Sequence, residues 1–365
     1  GRINLDGSKG SCSACHNRHH FSIAQVRQPE NCGKCHMGPD HPQLEVYNES
    51  KHGINFRAHR EKMNLEAQPW IVGQDYHPKP VNQQFLQKFP NPLVSPELAA
   101  FNVEFNYTPL TLGGDCLQKS FDEMQHLWKL GTQTAEQLQC HLAMICILPT
   151  VSKDYLTMAN NSAMKRYQAL NEQELSLSEG KPLQVYIHGI EVLRASHNDV
   201  MLESATTSFQ IHLQVPPDLA VRAYNASIIL SAPMLAISAN SPFFLGKNLW
   251  CETRIPLFEQ AVAVGGFGGA AHGPLRRVTF GSGYARESIL EIFAENLAHY
   301  PILLPTLIDD PLEQFSNLRL HNGTLWRWNR PLIGNENGKH HVRIEHRVVP
   351  AGPSIVDAIA NAALY

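Results

Sequence analysis

Polar and apolar residues alternate strictly in three short segments of this chain. Residues 101–106 put Asn102, Glu104 and Asn106 on one face, and residues 209–215 do the same with Gln210, His212 and Gln214. Residues 342–348 present Arg343, Glu345 and Arg347. A period of two marks a half-buried strand, because successive side chains leave opposite faces. The opposite faces are mostly Val, Ile, Leu and Phe, which can pack on helices. A sheet with one apolar and one solvated face is ordinarily antiparallel. Helical runs fall between the strands. Asp115 caps an amphipathic stretch over about residues 116–142. Pro216-Pro217-Asp218 opens another through about Leu230, and Pro233 should kink or end it. The predicted class is α+β, an antiparallel sheet backed by helices.

The polar faces can simply meet water. Three of them, centred on Glu, His and Glu, instead suggest one shared site. Carboxylates with an imidazole can hold Mg2+ or Mn2+, and Arg343 and Arg347 can meet phosphate or carboxylate oxygens through two parallel bonds.

The chain of 365 residues carries 30 Lys and Arg against 33 Asp and Glu, a net charge of −3. That balance points to neither nucleic acid nor an anionic membrane as a partner. Hydrophobic residues make up 43%, enough for a buried core. The apolar stretch at residues 228–239 is short for a bilayer span and contains Pro233. No basic-then-apolar leader opens the chain, and its start at Gly1 suggests a fragment or a processed product.

Cysteine and histidine divide the chain in two. Four of eight Cys and eight of 19 His precede residue 80. Cys12-x-x-Cys15-His16 and Cys32-x-x-Cys35-His36 are both C-x-x-C-H, the spacing for two thioethers to haem with the His on iron. A second axial ligand can come from His19, His20, His41, His52 or His59. A zinc knuckle is the alternative reading of the two Cys pairs. Cys116, Cys140, Cys146 and Cys251 read as reduced, mostly buried thiols. Pro-rich residues 77–80 and 89–92 look like a junction, dividing the chain into residues 1–80 and 81–365.

The first region resembles the hydroxylamine oxidoreductase family of octahaem cytochromes c. The likeness runs through residues 12–22, 32–43, 50–53, 62–65 and 72–76. It implies a small, loop-rich electron carrier with two covalent haems c. Most of that family's haem motifs are missing, so hydroxylamine oxidation by this piece alone is not expected.

The second region resembles the type 2 glutamate–cysteine ligase, or carboxylate–amine ligase, family. Strings carrying the likeness include residues 113–117, 147–150, 166–172, 187–190, Asp199-Val200-Met201-Leu202-Glu203, 207–215, Glu252-Thr253-Arg254-Ile255, 325–331 and 343–353. The resemblance implies a curved, glutamine synthetase-like sheet whose concave face holds ATP and Mg2+ or Mn2+. It also implies that glutamate's γ-carboxylate is joined to cysteine or a related amine through an acyl phosphate. Carried over by position, Glu97, Glu104, His212 and Glu345 are metal ligands. Arg347 faces phosphate or substrate, and Arg254 meets the substrate carboxylate. Trp326, Arg327 and Arg330 lie near the site without assigned roles. Glu97 as a cap, His212 as a polar-face residue and Arg254 paired with Glu252 on a surface remain open at this point. Residues 265–269, Gly-Gly-Phe-Gly-Gly, lack the Lys of a phosphate loop and read as a flexible loop or lid.

One departure stands out. The family opens with an acidic strand of pattern Gly-x-Glu-x-Glu, and no such string occurs before Glu97. A central strand and two carboxylates are therefore expected to be missing, a sheet edge to be unpaired, and turnover to be weak or absent. The halves also imply different compartments, since haem c is attached outside the cytoplasm and ATP is used inside it. A join of gene fragments, a decayed gene and an artificial join are all open, as is homo-oligomerisation.

Overall fold

The computed structural model describes residues 62–178, 180–263, 276–336 and 338–365. Both C-x-x-C-H motifs, the five candidate axial histidines and the glycine-rich residues 265–269 lie outside the described residues. Glu61–Tyr365 form one compact unit, so the boundary drawn after residue 80 falls inside it.

The main sheet is antiparallel. Its order is β12 (Asn329–Glu336), β13 (Lys339–His346), β9 (Phe209–Val215), β1 (Lys62–Ala67), β4 (Val103–Asn106) and β3 (Val94–Pro96), with β5 (Leu110–Thr111) also on β1. Three small ribbons pair β2 (Trp70–Val72) with β6 (His141–Ala143), β7 (Leu183–His188) with β8 (Val192–His197), and β10 (Phe243–Phe244) with β11 (Lys247–Asn248). The helices are α1 (Asn82–Lys88), α2 (Cys116–Gln137), α3 (Lys165–Leu177), α4 (Ala220–Ser238), α5 (Arg254–Ala261), α6 (Leu290–His299), α7 (Ser316–Gly323) and α8 (Ile355–Leu364). The α+β class is therefore what the chain adopts.

The expectation of a missing central strand is corrected by β1. All six of its residues are in register with β9, and its other edge meets β4 and β5. Lys-Met-Asn-Leu-Glu-Ala contains good helix formers, so its strand state comes from its neighbours. Met63, Leu65 and Ala67 are buried on one face while Lys62, Asn64 and Glu66 leave the other. The apolar face continues through Val103, Phe105, Phe209 and Ile211, and packs on Met124 and Leu127 of α2 and Ala358 and Ala362 of α8.

The polar face is not solvated as expected. Gln210 is 4% exposed, His212 4% and Glu345 1%. A second core accounts for this. Trp70 stacks on Phe101 at 5.3 Å, and Val200, Met201, Leu202 and Leu257 join the same cluster. It fixes the residues that close over the sheet.

Two helix expectations also shift. The first helix ends at Gln137, and residues 141–143 form β6. Pro233 sits inside α4 without ending it. It lies on the exposed side, beside exposed Ile229, so the carbonyl it leaves unbonded faces water. With its first turn, Pro217–Ser238 is long and apolar enough to cross a membrane by length and composition. Tyr224, Ser227, Ser231 and Met234 of this helix are buried, and it packs on β12 and β13.

Candidate active site

A row of side chains crosses four strands. Asn64 of β1 lies opposite His212 of β9, His212 opposite Glu345 of β13, and Glu345 opposite Arg330 of β12. In the next row Glu66 lies opposite Gln210 and Asn106. From these rows Glu66, Gln210, His212, Glu345 and Arg330 floor a trough of about 460 Å³, which Glu97, Glu104, Glu203, Arg254 and Arg347 also line. Tyr167, Phe258 and Trp326 supply aromatic wall.

The β3–β4 end is acidic. Glu97 follows β3, and Glu104 projects from β4. Gln68 Nε2 donates to Glu97 Oε1 at 3.1 Å and reaches Glu104 Oε2 at 3.5 Å. Its Oε1 accepts from the Ser208 amide at 2.9 Å, which ties the pair to the start of β9. Asn106 donates to Glu104 at 3.0 Å. Burial, and then the charge of Glu104, raise the Glu97 carboxyl well above the usual carboxylate range. Two neighbouring carboxyl groups are hard oxygen donors. This donor set suits Mg2+ or Mn2+.

His212 Nε2 lies 3.1 Å from Glu66 Oε1, and Asn64 Oδ1 beside it is buried without a hydrogen-bond partner. Glu66 is a site carboxylate that the sequence reading missed. Its one available signal was the alternation Asn64-x-Glu66, in a stretch read together with the haem-type region.

The β13–β12 end is cationic. Arg330 grips Glu345 through Nη2 at 2.8 Å and 3.1 Å and Nε at 3.3 Å. Arg347 Nε lies 3.1 Å from Glu345 Oε1. Burial opposes charge on Glu345, but Arg330 and Arg347 outweigh it and hold the carboxyl down at about 2. Glu345, expected as a metal ligand, is thus already engaged by two guanidinium groups. Arg347 Nη1 is buried with no partner, a donor free for an anion.

Arg254 departs from both sequence readings. It is 1% exposed, so it forms no surface pair. Nη1 donates to the Arg347 carbonyl at 2.9 Å and Nη2 to the Val348 carbonyl. Its Nε lies 3.5 Å from Glu252 Oε1, and the group stacks over Trp328 at 5.1 Å. These bonds tie Arg254 to the chain leaving β13.

The structure therefore sets Glu97, Glu104, His212, Glu345, Arg254 and Arg347 around one trough. Among the described residues, no three His, Cys, Asp or Glu groups stand close enough to hold a metal ion by themselves. Mg2+ commonly takes one or two carboxylates and completes its shell with water and substrate phosphates.

Comparison with known proteins divides the chain between residues 73 and 76, inside the compact unit. The family model for glutamate-cysteine ligase family 2 matches residues 76–280, more than half of the chain. A model described as a seven-times multi-haem cytochrome C-x-x-C-H matches residues 5–73. A probable nitrite reductase-hydroxylamine oxidoreductase fusion protein of Kuenenia stuttgartiensis is 47% identical over 77 residues, which is 18% of this chain and 9% of that protein. A bifunctional glutathione synthetase from Pasteurella multocida has a TM-score of 0.43 at 12% identity, covering 86% of this chain and 39% of that one. A glutamate–cysteine ligase from Francisella tularensis, in complex with AMP, has a TM-score of 0.34 at 9% identity, covering 50% and 36%. The chain thus spans well under half the length of these relatives. Both resemblances seen in the sequence are borne out by the two family models. The multi-haem match includes β1 and β2, so strands of the ligase-type unit lie in cytochrome-like sequence.

Proposed function

The chain belongs to glutamate-cysteine ligase family 2, and on that premise we propose that its trough joins a carboxylate to an amine with ATP. The observation that carries this reading is the division of charge along one cavity. Paired Glu97 and Glu104 stand toward one edge of the sheet, and Arg330 and Arg347 around Glu345 toward the other. Phosphoryl transfer needs little covalent help from a protein, but it needs charge stabilised and atoms aligned.

In this mechanism a substrate carboxylate oxygen attacks the γ-phosphorus of ATP. The bond to the bridging oxygen breaks, and ADP leaves with the electron pair. The resulting acyl phosphate is attacked by the amine, and phosphate departs. Glu97 and Glu104 would hold Mg2+ or Mn2+ as a pair, with water and substrate phosphates completing its shell, and the ion would supply charge neutralisation at the phosphates. Arg347 and Arg330 orient anionic oxygens, and the aromatic wall excludes water. We assign glutamate's γ-carboxylate and cysteine, or a related amine, as substrates, and the cytoplasm as the compartment for this half.

β1 supplies the strand and one of the two carboxylates expected to be missing, Glu66, so turnover is expected, weakened by Asn64. ATP, Mg2+, glutamate and cysteine together are expected to release phosphate, and omission of any one to stop it. Phosphate release indifferent to glutamate would overturn the reading. Asn64 stands where a second carboxylate would sit two residues from Glu66. Asn64→Glu should therefore lower the Mg2+ concentration for half-maximal rate by roughly tenfold, since ligand charge tunes cation affinity.

A separate reading applies to the N-terminal region, favoured by the multi-haem match over residues 5–73. There Cys12, Cys15 and His16, and Cys32, Cys35 and His36, attach two haems c. The chain matured with haem is expected to keep a Soret band after acid–acetone extraction. Loss of all colour into the acetone sinks this assignment.

A further inference from the structure

The string Asp199-Val200-Met201-Leu202-Glu203 has no role in the mechanism so far. Its fold is tightly specified. The Asp199 side chain caps the turn by accepting from the Met201 amide at 2.9 Å. Val200, Met201 and Leu202 are each 0% exposed. The Glu203 carbonyl accepts from the Thr206 hydroxyl at 2.6 Å and from its amide at 2.9 Å. This rigid turn sets the Glu203 carboxyl into the trough wall.

The other trough carboxylates described are engaged. Glu345 binds two arginines, Glu66 pairs with His212, and Glu97 and Glu104 share Gln68. Glu203 Oε2 is buried and has no partner, alone among the trough-lining carboxylates described. Arg347 is the cation whose charge it feels, and it in turn acts on Glu97 and on Glu174 of α3. A buried carboxyl oxygen left open toward a reaction cavity is complementary to a cationic N–H donor.

We propose that Glu203 receives the ammonium group of the amine substrate and takes its proton as the amide forms. This role rests on the ligase reading above. An ammonium cannot attack, because its lone pair is held by a proton. Of its three protons, one passes to Glu203, one stays on the amide nitrogen, and one leaves with phosphate. The new C–N bond forms as the acyl C–O bond breaks, and phosphate departs with that electron pair. Burial pushes the Glu203 carboxyl up to about 7, against the opposing pull of Arg347. A base with that affinity accepts and returns a proton near neutral pH.

The test compares two nucleophiles on the full chain. Cysteine is largely protonated at neutral pH, whereas methoxyamine is not and needs no base to free its lone pair. Glu203→Gln is expected to lower kcat with cysteine by about 100-fold or more and to abolish the rise of rate with pH through neutrality. ATP-dependent methoxyamide formation, read by mass spectrometry, should stay within about threefold of wild type, as expected when only base catalysis is lost. Equal loss with both nucleophiles, or an unchanged rate with cysteine, overturns the proposal. Failure of the wild-type chain to form either amide overturns the ligase reading, and this proposal with it. Thermal melts report whether the Gln variant folds. If it does not, Glu203→Asp serves in its place, expected to keep part of the cysteine rate with a displaced pH profile; an undisplaced profile counts against the proposal.

Discussion

A chain beginning at residue 81 is expected not to fold, whereas one beginning at residue 61 is expected to unfold in a single cooperative transition. The difference is β1 and β2. β1 supplies the registered partner of all but the last residue of β9 and partners Phe105 and Asn106 of β4, so its removal splits the main sheet and exposes two new edges. Met63, Leu65, Trp70, Ile71 and Val72 would also leave the core, where each is at most 4% exposed. Burial of such side chains is worth about 1.5–3 kcal/mol apiece, so the set removes on the order of 10 kcal/mol. That is comparable with the whole stability of an ordinary domain, about 5–15 kcal/mol. Urea titration followed by circular dichroism decides it. A chain of residues 81–365 that melts sharply, with the denaturant sensitivity of the longer one, would show β1 to be dispensable.

Glu345→Ala carries the second large effect. The carboxylate neutralises Arg330 and Arg347 within a site where its own side chain is 2% exposed and theirs 13% and 12%. Removing it leaves two guanidinium groups facing each other with no counter-charge, and breaking a buried pair in this way costs about 3–5 kcal/mol. The melting temperature should fall accordingly, and the rise produced by ATP with Mg2+ should change, because Arg330 and Arg347 lose the carboxylate that positions them. Identical ATP shifts in wild type and variant would argue against a nucleotide in the trough. The pH dependence has a defined sign. The Glu345 carboxyl is held at about 2 in the folded chain, against about 4.3 for an unperturbed glutamate. As pH falls, the unfolded chain takes up this proton first. The stabilisation is therefore full above the ordinary glutamate range and is lost as pH drops through it toward 2. Glu345→Ala should flatten stability across that interval.

How much of this was legible beforehand depends on whether the signal is local. Residues 209–215 became a strand of the main sheet with the predicted bounds, whereas 342–348 and 101–106 did so only over 342–346 and 103–106. Glu104, His212 and Glu345 share a face because a period of two allows nothing else once the strands pair in this register. Burial was not legible, because alternation says which residues share a face and not what covers it. The covering residues come from α3 and α5, distant in sequence from most of the strands they meet, and from residues 203–208, whose turn before β9 no alternation predicts. Arg254 shows the same limit. Its neighbour Glu252 invited a surface pair, while its real partners are the carbonyls of Arg347 and Val348, more than 90 residues away.

β1 marks the boundary most sharply. Its six residues include good helix formers, and their likeness pointed to a cytochrome. By itself the sequence determined that an α+β ligase-type sheet would form, and which polar residues would line one face of it, because side-chain period and turn chemistry are properties of neighbours along the chain. Only the tertiary structure decided that Lys62–Ala67 completes the sheet, that Glu66 meets His212, and that the polar face is roofed over. Strand pairing is a contact between segments about 150 residues apart, and its free energy comes from surfaces that exist only once both segments are in place.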